Sequence, residues 1–201
     1  MGHFSEITGS RSSGRTSLLA ALLAAATARG ELAALVDTFD VFDVESLAAA
    51  GVRLDRLLWV RGETSTSAFP PLTNGRRQPG ADRAIARAVK AMNLILQAGG
   101  MSLAALDLAD APIQALRRIP MTTWLRLQKV VEGQSTAAVV VGAVPMSRSA
   151  GGVTLTLNRA GTRDWALGAG GIESEVRIQR ARLVPGMNGS PVRLMATALV
   201  A

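Results

Sequence analysis

The segment that most constrains the fold is a glycine-rich turn near the start of the chain, Gly9-Ser10-Arg11-Ser12-Ser13-Gly14-Arg15-Thr16-Ser17. It lies between a short apolar run, His3 to Thr8, and a long Ala/Leu segment, Leu18 to Ala28. A turn that leaves a strand and opens a helix directs several backbone N–H groups into one concavity, where the helix N-terminus adds partial positive charge. The segment therefore predicts an α/β unit with an anion-binding turn.

The spacing of this turn matches the P-loop pattern G-x-x-x-x-G-K-[ST] except at one position, where Arg15 replaces lysine. Lysine is a compact charge, whereas guanidinium is broad and forked, so the exchange is not conservative. Two interpretations stay open, a nucleotide-binding turn and a turn kept for packing alone. If ATP and Mg²⁺ bind, Thr16 and Asp107 are the expected metal ligands. The expected nucleotide-binding residues are Gly9, Ser12, Ser13, Gly14, Arg15, Thr16, Ser17 and Asp107.

Composition restricts the class of protein further. The 201 residues favour a single domain, 1–201, and an aromatic content of 3% requires a core of Ala, Leu and Val. The absence of cysteine excludes disulfides, thiolate metal sites and a cysteine nucleophile. No apolar run reaches the ~20 residues of a membrane span, and the first residues lack the order of a signal peptide. We therefore expect a soluble, cytoplasmic protein with no membrane association.

The chain is strongly basic, with a net charge of +7 and a pI near 11.4. Lys90 and Lys129 are the only lysines, so 22 − 2 = 20 basic residues are arginines, which is most simply an effect of genome composition. Basic charge favours an anionic partner such as nucleic acid, although a solvated surface explains it as well. The candidate contacts to DNA or a protein partner are Arg76, Arg77, Arg117, Arg118, Arg177, Arg180 and Arg182.

Hydrophobic patterning predicts alternating strands and helices. Strands are expected at His3–Thr8, Leu32–Asp37 and Leu57–Val60, with helices at Ser17–Arg29 and Glu45–Ala50 between them. This βαβαβ order implies a parallel sheet with right-handed crossovers.

The second half of the chain continues the alternation of strands and helices and then changes to a series of predicted strands. Residues 62–80, rich in Ser, Thr, Pro and Gly, are predicted to be a flexible loop, and residues 151–201 a β-rich antiparallel extension. Its strands are expected at Val153–Arg159, Val176–Val184 and Val192–Val200. Between the loop and the extension we expect two helices and two strands. The first helix is capped by Asp82 and ends at Gln97, and the strand Leu103–Asp107 follows it. The second helix is capped by Thr122 or Thr123 and ends at Glu132, and the strand Ala137–Val144 follows it.

Asp107 ends a buried-type strand, and its position has two interpretations. A carboxylate at the C-terminal edge of such a strand faces the same crevice as the glycine-rich turn, where it could hold Mg²⁺ through water. An aspartate at a strand end that caps the next turn is at least as common.

Several segments together resemble the RecA recombinase core. They are Glu6 to Ser17, Leu35-Val36-Asp37, Ala50 to Leu58, the Leu106-Asp107 strand at the family's Walker B position, and Ser174 to Ile178, which resembles the start of its closing β-hairpin. The resemblance runs from Phe4 to about Leu194 and is patchy after Arg61. It implies a RecA-like P-loop core with a mostly parallel central sheet flanked by helices, followed by the antiparallel extension.

The sequence differs from that family at the residues and segments that carry its functions. Phe39 stands at the position of the catalytic glutamate, with Asp40 one residue later, and phenylalanine cannot position the attacking water. Gly142-Ala143-Val144 ends the strand where the family has a glutamine that senses the γ-phosphate. The DNA-binding loop is also missing, because Pro145 to Ala150 is far shorter, and so are the N-terminal elements through which recombinases polymerise.

A recombinase core altered in this way is similar to ImuA-type accessory proteins, which the Ile119 to Arg126 segment also resembles. That resemblance implies a non-catalytic role in DNA repair and damage-induced (SOS, translesion) mutagenesis, beside RecA and a Y-family-like polymerase subunit, with weak DNA binding at most. One alternative is a RecA-family ATPase that binds ATP or hydrolyses it weakly with Arg15 in place of lysine. Another is an unrelated α/β domain with a structural turn.

Overall fold

The computed structural model describes residues 2–62, 79–147, 152–161, 172–181 and 191–196. Its strands are β1 (His3–Gly9), β2 (Ala33–Asp37), β3 (Leu57–Arg61), β4 (Leu103–Leu108), β5 (Ala137–Gly142), β6 (Val153–Gly161), β7 (Ile172–Ala181) and β8 (Pro191–Ala196). Its helices are α1 (Arg15–Ala28), α2 (Val44–Ala49), α3 (Pro79–Ala98), α4 (Ile113–Arg118) and α5 (Met121–Val131), and a short 3-10 turn (Leu54–Arg56) precedes β3.

The strands form one sheet in the order β3-β2-β4-β5-β1-β6-β7-β8. The first six in this order pair in parallel, whereas β7 pairs antiparallel with β6, and β8 antiparallel with β7. Continuous apolar runs such as Ala33–Asp37 form strands buried on both faces, as expected where helices cover a parallel sheet. The prediction of an α/β fold with a parallel sheet flanked by helices is confirmed.

Two apolar clusters fill the space on either side of the sheet. On one side Leu19 and Leu23 of α1 pack with Ile7 and Leu35 from the strands. The other side holds α3, α4 and α5, with Trp124 fully buried against β1. The β1 residue nearest to it is Phe4, whose ring centroid lies 6.2 Å from that of Trp124. Because β1 is covered on both faces, the turn that follows it is held on a rigid base.

The helices differ from the predicted ones by one or two residues at several ends, and more substantially at three points. The third helix begins at Pro79, so Asp82 lies in its first turn and its carboxylate accepts a hydrogen bond from Arg118 at 2.7 Å. The fifth helix begins at Met121 after Pro120, and no side chain caps it, so the predicted cap at Thr122 or Thr123 is wrong. The short helix α4 was not predicted.

Some predictions fall on residues that are not described. Residues 63–78, most of the predicted loop, are outside the described ranges, as are the ends of the predicted strands at Val184 and Val200. Within the described ranges, no helix combines the length and apolar character required to cross a membrane.

Candidate functional site

The glycine-rich turn joins the end of β1 to the start of α1 through two residues in the left-handed region. Ser12 has a φ of 59° and Gly14 a φ of 86°, the second a conformation that favours glycine. The Ser13 N–H donates to the Ser10 carbonyl at 3.2 Å, and the Leu18 N–H donates to the Gly14 carbonyl at 2.9 Å to begin the helix. The turn thus has the strand-to-helix geometry that the sequence predicted.

Gly9 lies where the chain approaches itself closely. A Cβ atom at this position would collide with the Ser13 hydroxyl and would lie 2.8 Å from the Leu157 carbonyl oxygen of β6. The Ser13 Oγ is buried and has no hydrogen-bond partner among the described residues. The inner side of the turn is therefore closed by the protein's own atoms.

Arg15 is buried at the first position of α1, with 5% of the residue exposed. Its Nη1 donates to the Gly9 carbonyl at 2.5 Å, and its Nη2 donates to the Ala109 carbonyl at 2.8 Å. The same Nη2 lies 3.6 Å from Oδ1 of Asp110. The guanidinium therefore joins the turn to the loop after β4.

The charges that act on Arg15 come from two carboxyl groups, Asp110 and Asp107, and from the Arg11 guanidinium. Burial lowers the pKa of the Arg15 guanidinium, while the charges of Asp110 and Asp107 oppose that shift. Burial raises the pKa of Asp107 to about 7, although the Ala109 N–H donates to its Oδ1 at 2.9 Å and stabilises the charged form. The pKa of Asp37 is raised as well, mainly by burial. The Arg15 guanidinium thus acts on Asp107, a carboxyl group that burial makes harder to ionise.

A cavity of about 370 Å³ opens at the N-terminal end of α1. Backbone N–H groups in the first turn of a helix have no intrahelical partner and point toward such a space, which suits an anion. Thr16 and Ser17 are exposed on this turn. The lining residues are Arg11, Ser12, Gly14, Arg15, Thr16, Ser17 and Asp110.

The structure places the predicted nucleotide-binding residues in two groups. The turn residues are contiguous, and five of them line the cavity. Asp107 belongs to β4, and β5 lies between β4 and β1 in the sheet. Asp107 interacts with the turn through the charge of Arg15 and does not line the cavity.

The predicted Mg²⁺ ligands, Thr16 and Asp107, fit a cation poorly. Mg²⁺ prefers ionised carboxylates and water, but the Asp107 carboxyl is buried, has a raised pKa and already accepts a hydrogen bond from Ala109. The positive charge that faces it is that of Arg15. Within the described ranges, no three His, Cys, Asp or Glu side chains are grouped so as to hold a metal ion.

The side chains of Asp37, Phe39 and Asp40, at and after the end of β2, make contacts within the protein. Phe39 is buried in the core beside α3, as its apolar side chain requires. Asp40 adopts a φ of 55°, and its carboxylate lies 2.6 Å from Nε of Arg61. Asp37 accepts hydrogen bonds from the N–H groups of Val41 and Phe42 at 2.9 Å and 3.1 Å, so its carboxylate holds the turn.

The end of β5 also lacks a polar side chain. Gly142 is packed beneath Met146, whose Cε would collide with a Cβ at this position. The adjacent carboxylate, Glu6, is buried, and its Oε1 accepts from the N–H groups of Met146 and Ser147 at 2.6 Å and 3.1 Å. Burial raises its pKa. Glu6 therefore fixes the chain that covers Gly142.

Among the candidate basic contacts, side chains are described for Arg117 and Arg118 alone. Arg117 and Arg118 are exposed on α4, and Arg118 is paired with Asp82. Arg177 and Arg180 belong to β7, whose backbone alone is described. The remaining three, Arg76, Arg77 and Arg182, lie outside the described residues.

Sequence reasoning missed Asp110, Ala109 and Glu6. Asp110 had a signal, because it is a second carboxylate three residues after Asp107, in the loop that follows the same strand. Ala109 acts through its carbonyl, which leaves no mark in a sequence. Glu6 also had a sequence signal, because a charged residue inside an apolar strand is rarely buried without a partner.

Residues 5–69 match the MT3502 N-terminal domain family. This similarity extends from β1 through β3 and includes the glycine-rich turn, Arg15 and Asp37. It covers about a third of the 201 residues and ends before β4, which carries Asp107. No curated protein matches the chain.

Proposed function

We propose that this protein is a non-catalytic, RecA-like accessory protein that acts in damage-induced mutagenesis through contacts with other proteins. The observation that carries the non-catalytic part is the position of Arg15. Its guanidinium, which stands where a P-loop has its phosphate-binding lysine, is bonded to the Gly9 and Ala109 carbonyls. A nucleotide would have to displace these contacts before Arg15 could reach it.

Two further features support the absence of hydrolysis. Phosphoryl transfer requires a polar residue that positions the attacking water in line. Phe39 is buried in the core, and Asp40 is held by Arg61. At the end of β5, Met146 covers Gly142. Each place at which a recombinase carries catalytic chemistry is thus occupied by a packing contact or an ion pair.

The sheet order supports a RecA-like core as the scaffold for this role. The turn strand β1 and the Asp107 strand β4 are separated by β5 alone, and both end at the same edge of the parallel sheet. The role in mutagenesis and a cytoplasmic location rest on the resemblance of the sequence to ImuA-type proteins. The expected partners are RecA and a Y-family-like polymerase subunit.

Paired assays test the proposal. We expect purified protein to show no Mg²⁺-dependent ATP turnover above a blank, and the Arg15→Lys variant to gain none. We also expect the tagged protein to retain a purified Y-family-like subunit or RecA in a pull-down. Steady ATP consumption that is abolished in Arg15→Ala would contradict the proposal, and so would failure to retain either protein.

A second candidate function, ATP binding without turnover, is favoured by the cavity at the start of α1. Its lining hydroxyl groups, Thr16 and Ser17, and the exposed Arg11 could contact phosphate together with the backbone N–H groups of the first turn. Calorimetric titration with ATP and Mg²⁺ distinguishes the candidates. Saturable heat that is lost in Thr16→Val but kept in an exposed control, Thr122→Val, would support the nucleotide-binding form.

A further inference from the structure

A second cavity, of about 490 Å³, lies in the helix layer formed by α3, α4 and α5. Its apolar lining comes from all parts of that layer: Ile85 and Val89 of α3, Ala115 of α4, Ile119, and Leu127 of α5. Volumes of this size are typical of sites that bind ligands or partner side chains. Nothing in the crevice at Arg15 uses this cavity, because the two have no lining residue in common.

The rim of this cavity carries positive charge that the described structure does not neutralise. Asp82 and Arg118, both of the lining, form an ion pair at 2.7 Å. Lys90 and Arg126 also line the cavity and are exposed, and neither has an ion-pair partner within the described ranges. Three cations and one carboxylate leave a local charge of 3 − 1 = +2.

Asn93 adds a hydrogen-bonding group to the cavity. Its Oδ1 atom is buried and receives no hydrogen bond from the described residues. Buried side-chain oxygens are nearly always paired, so the Asn93 side chain keeps an unused acceptor next to the cavity. A rotation of the Asn93 side chain toward the cavity would let a backbone or side-chain N–H of a bound chain donate to this oxygen.

We propose that this cavity binds an acidic amphipathic helix of a partner protein. Apolar residues of such a helix would enter between Val89 and Leu127, and its carboxylates would face Lys90 and Arg126, as in other helix-in-groove complexes. A second copy of this chain is a poor occupant because each copy carries a net charge of +7. Nucleic acid is a poor occupant as well, because the phosphates that would meet the rim offer nothing to the apolar lining.

This inference deepens the proposed function, because it supplies the surface through which an accessory protein would hold its partner. The probe is a fluorescein-labelled peptide of about twelve residues with leucines on one helical face and glutamates on the other. We expect saturable binding by fluorescence anisotropy, with a shift of the Asn93 side-chain amide signal in NMR spectra. Lys90→Glu and Arg126→Glu should each weaken binding about tenfold or more.

Matched controls separate this site from general attraction to a basic protein. Arg83→Glu and Lys129→Glu make the same charge change on exposed positions of α3 and α5 outside the cavity, and they should change affinity less than about twofold. A peptide with serine in place of leucine should bind much more weakly. Equal losses in the control variants, or equal binding of the serine peptide, would overturn the proposal.

Two competitors test the other occupants. A single-stranded oligonucleotide or decanoate that displaces the peptide at an equal concentration would assign the cavity to nucleic acid or to a small amphiphilic anion and would overturn the proposal. A pull-down of RecA and the Y-family-like subunit with Lys90→Glu and Arg126→Glu keeps the two proposals apart. If these variants retain the partner proteins as well as the unsubstituted protein does, the cavity is not the docking site, and the proposed function still stands. If the protein binds the peptide but retains neither partner protein, the cavity is a binding site and the proposed function is wrong.

Discussion

Asp37 and Asp107 are register partners on the adjacent strands β2 and β4, and both carboxyl groups are buried. The charge of Asp37 raises the pKa of Asp107, in addition to the larger effect of burial, and the charge of Arg15 opposes this shift. This pair of buried carboxyl groups makes the stability of the folded protein depend on pH.

We expect the free energy of unfolding to fall as the pH rises from about 4 to about 7. Asp107 has a pKa of about 7 in the folded protein and 3.8 as its ordinary value, so the folded state keeps a proton that the unfolded chain releases in this range. One such group contributes a slope of up to ~1.4 kcal/mol per pH unit. Urea denaturation at several pH values should show a flatter profile for Asp107→Asn, with Asp82→Asn as the surface control. Parallel profiles for Asp107→Asn and the unsubstituted protein would contradict the assignment.

Arg15 is expected to matter more for stability than for ligand binding. Arg15→Ala removes the donors to two buried carbonyl groups, at Gly9 and Ala109, and should lower the free energy of unfolding by about 2–4 kcal/mol. Arg11→Ala is the matched control, because Arg11 is exposed in the same turn and also reaches Asp110, at 3.4 Å. It should cost less than about 0.5 kcal/mol. Equal effects of the two substitutions in chemical denaturation would show that the Arg15 contacts contribute little.

Glu6 is expected to act as an acceptor for the chain that follows β5. Glu6→Leu leaves the N–H groups of Met146 and Ser147 without a partner and should destabilise the protein by about 2–4 kcal/mol. Glu6→Gln keeps an acceptor oxygen and should cost less. Amide hydrogen exchange supplies a local measurement: protection of Met146 and Ser147 should fall in Glu6→Leu more than protection in β2. A uniform loss of protection would indicate global destabilisation alone.

Gly9 is expected to tolerate no side chain. A Cβ in Gly9→Ala would press on Ser13 and on the backbone of Leu157, and backbone cannot move as a flexible side chain can. The cost should be about 1–3 kcal/mol in thermal or urea unfolding. Gly80→Ala is the control, since a Cβ there meets no atom within 4 Å. A neutral Gly9→Ala would mean that the turn can move away from β6.

Much of the fold could be predicted because local patterns decide it. Continuous apolar runs such as Leu103 to Leu106 mark strands covered on both sides, and alternation with helices makes them parallel. The start of α5 could not be placed in the same way. Thr122 and Thr123 are good capping residues, but Pro120 precedes the helix with its φ already near −61°, and the helix begins directly after it.

The candidate site was predictable only in its local part. The turn and its left-handed Gly14 follow from the spacing of the glycines. The side-chain direction of Arg15 does not, because it depends on the Ala109 carbonyl, 94 residues away in the chain. For the same reason the cavity between α3 and α5 left no sequence signal. Leu127 is an ordinary core residue in the sequence, and only the packing of three helices makes it part of a binding surface.

The central position of β1 bears on how the chain can reach its folded state. Both neighbours of β1 come late in the sequence: β5 begins at residue 137 and β6 at residue 153. During synthesis the first strand must therefore wait, unpaired, until most of the protein has left the ribosome, and long-range pairing of this kind slows folding. The stretch 5–69 that matches a known family contains neither strand that pairs with β1, so β1 would have no pairing partner from the native sheet if this stretch were excised.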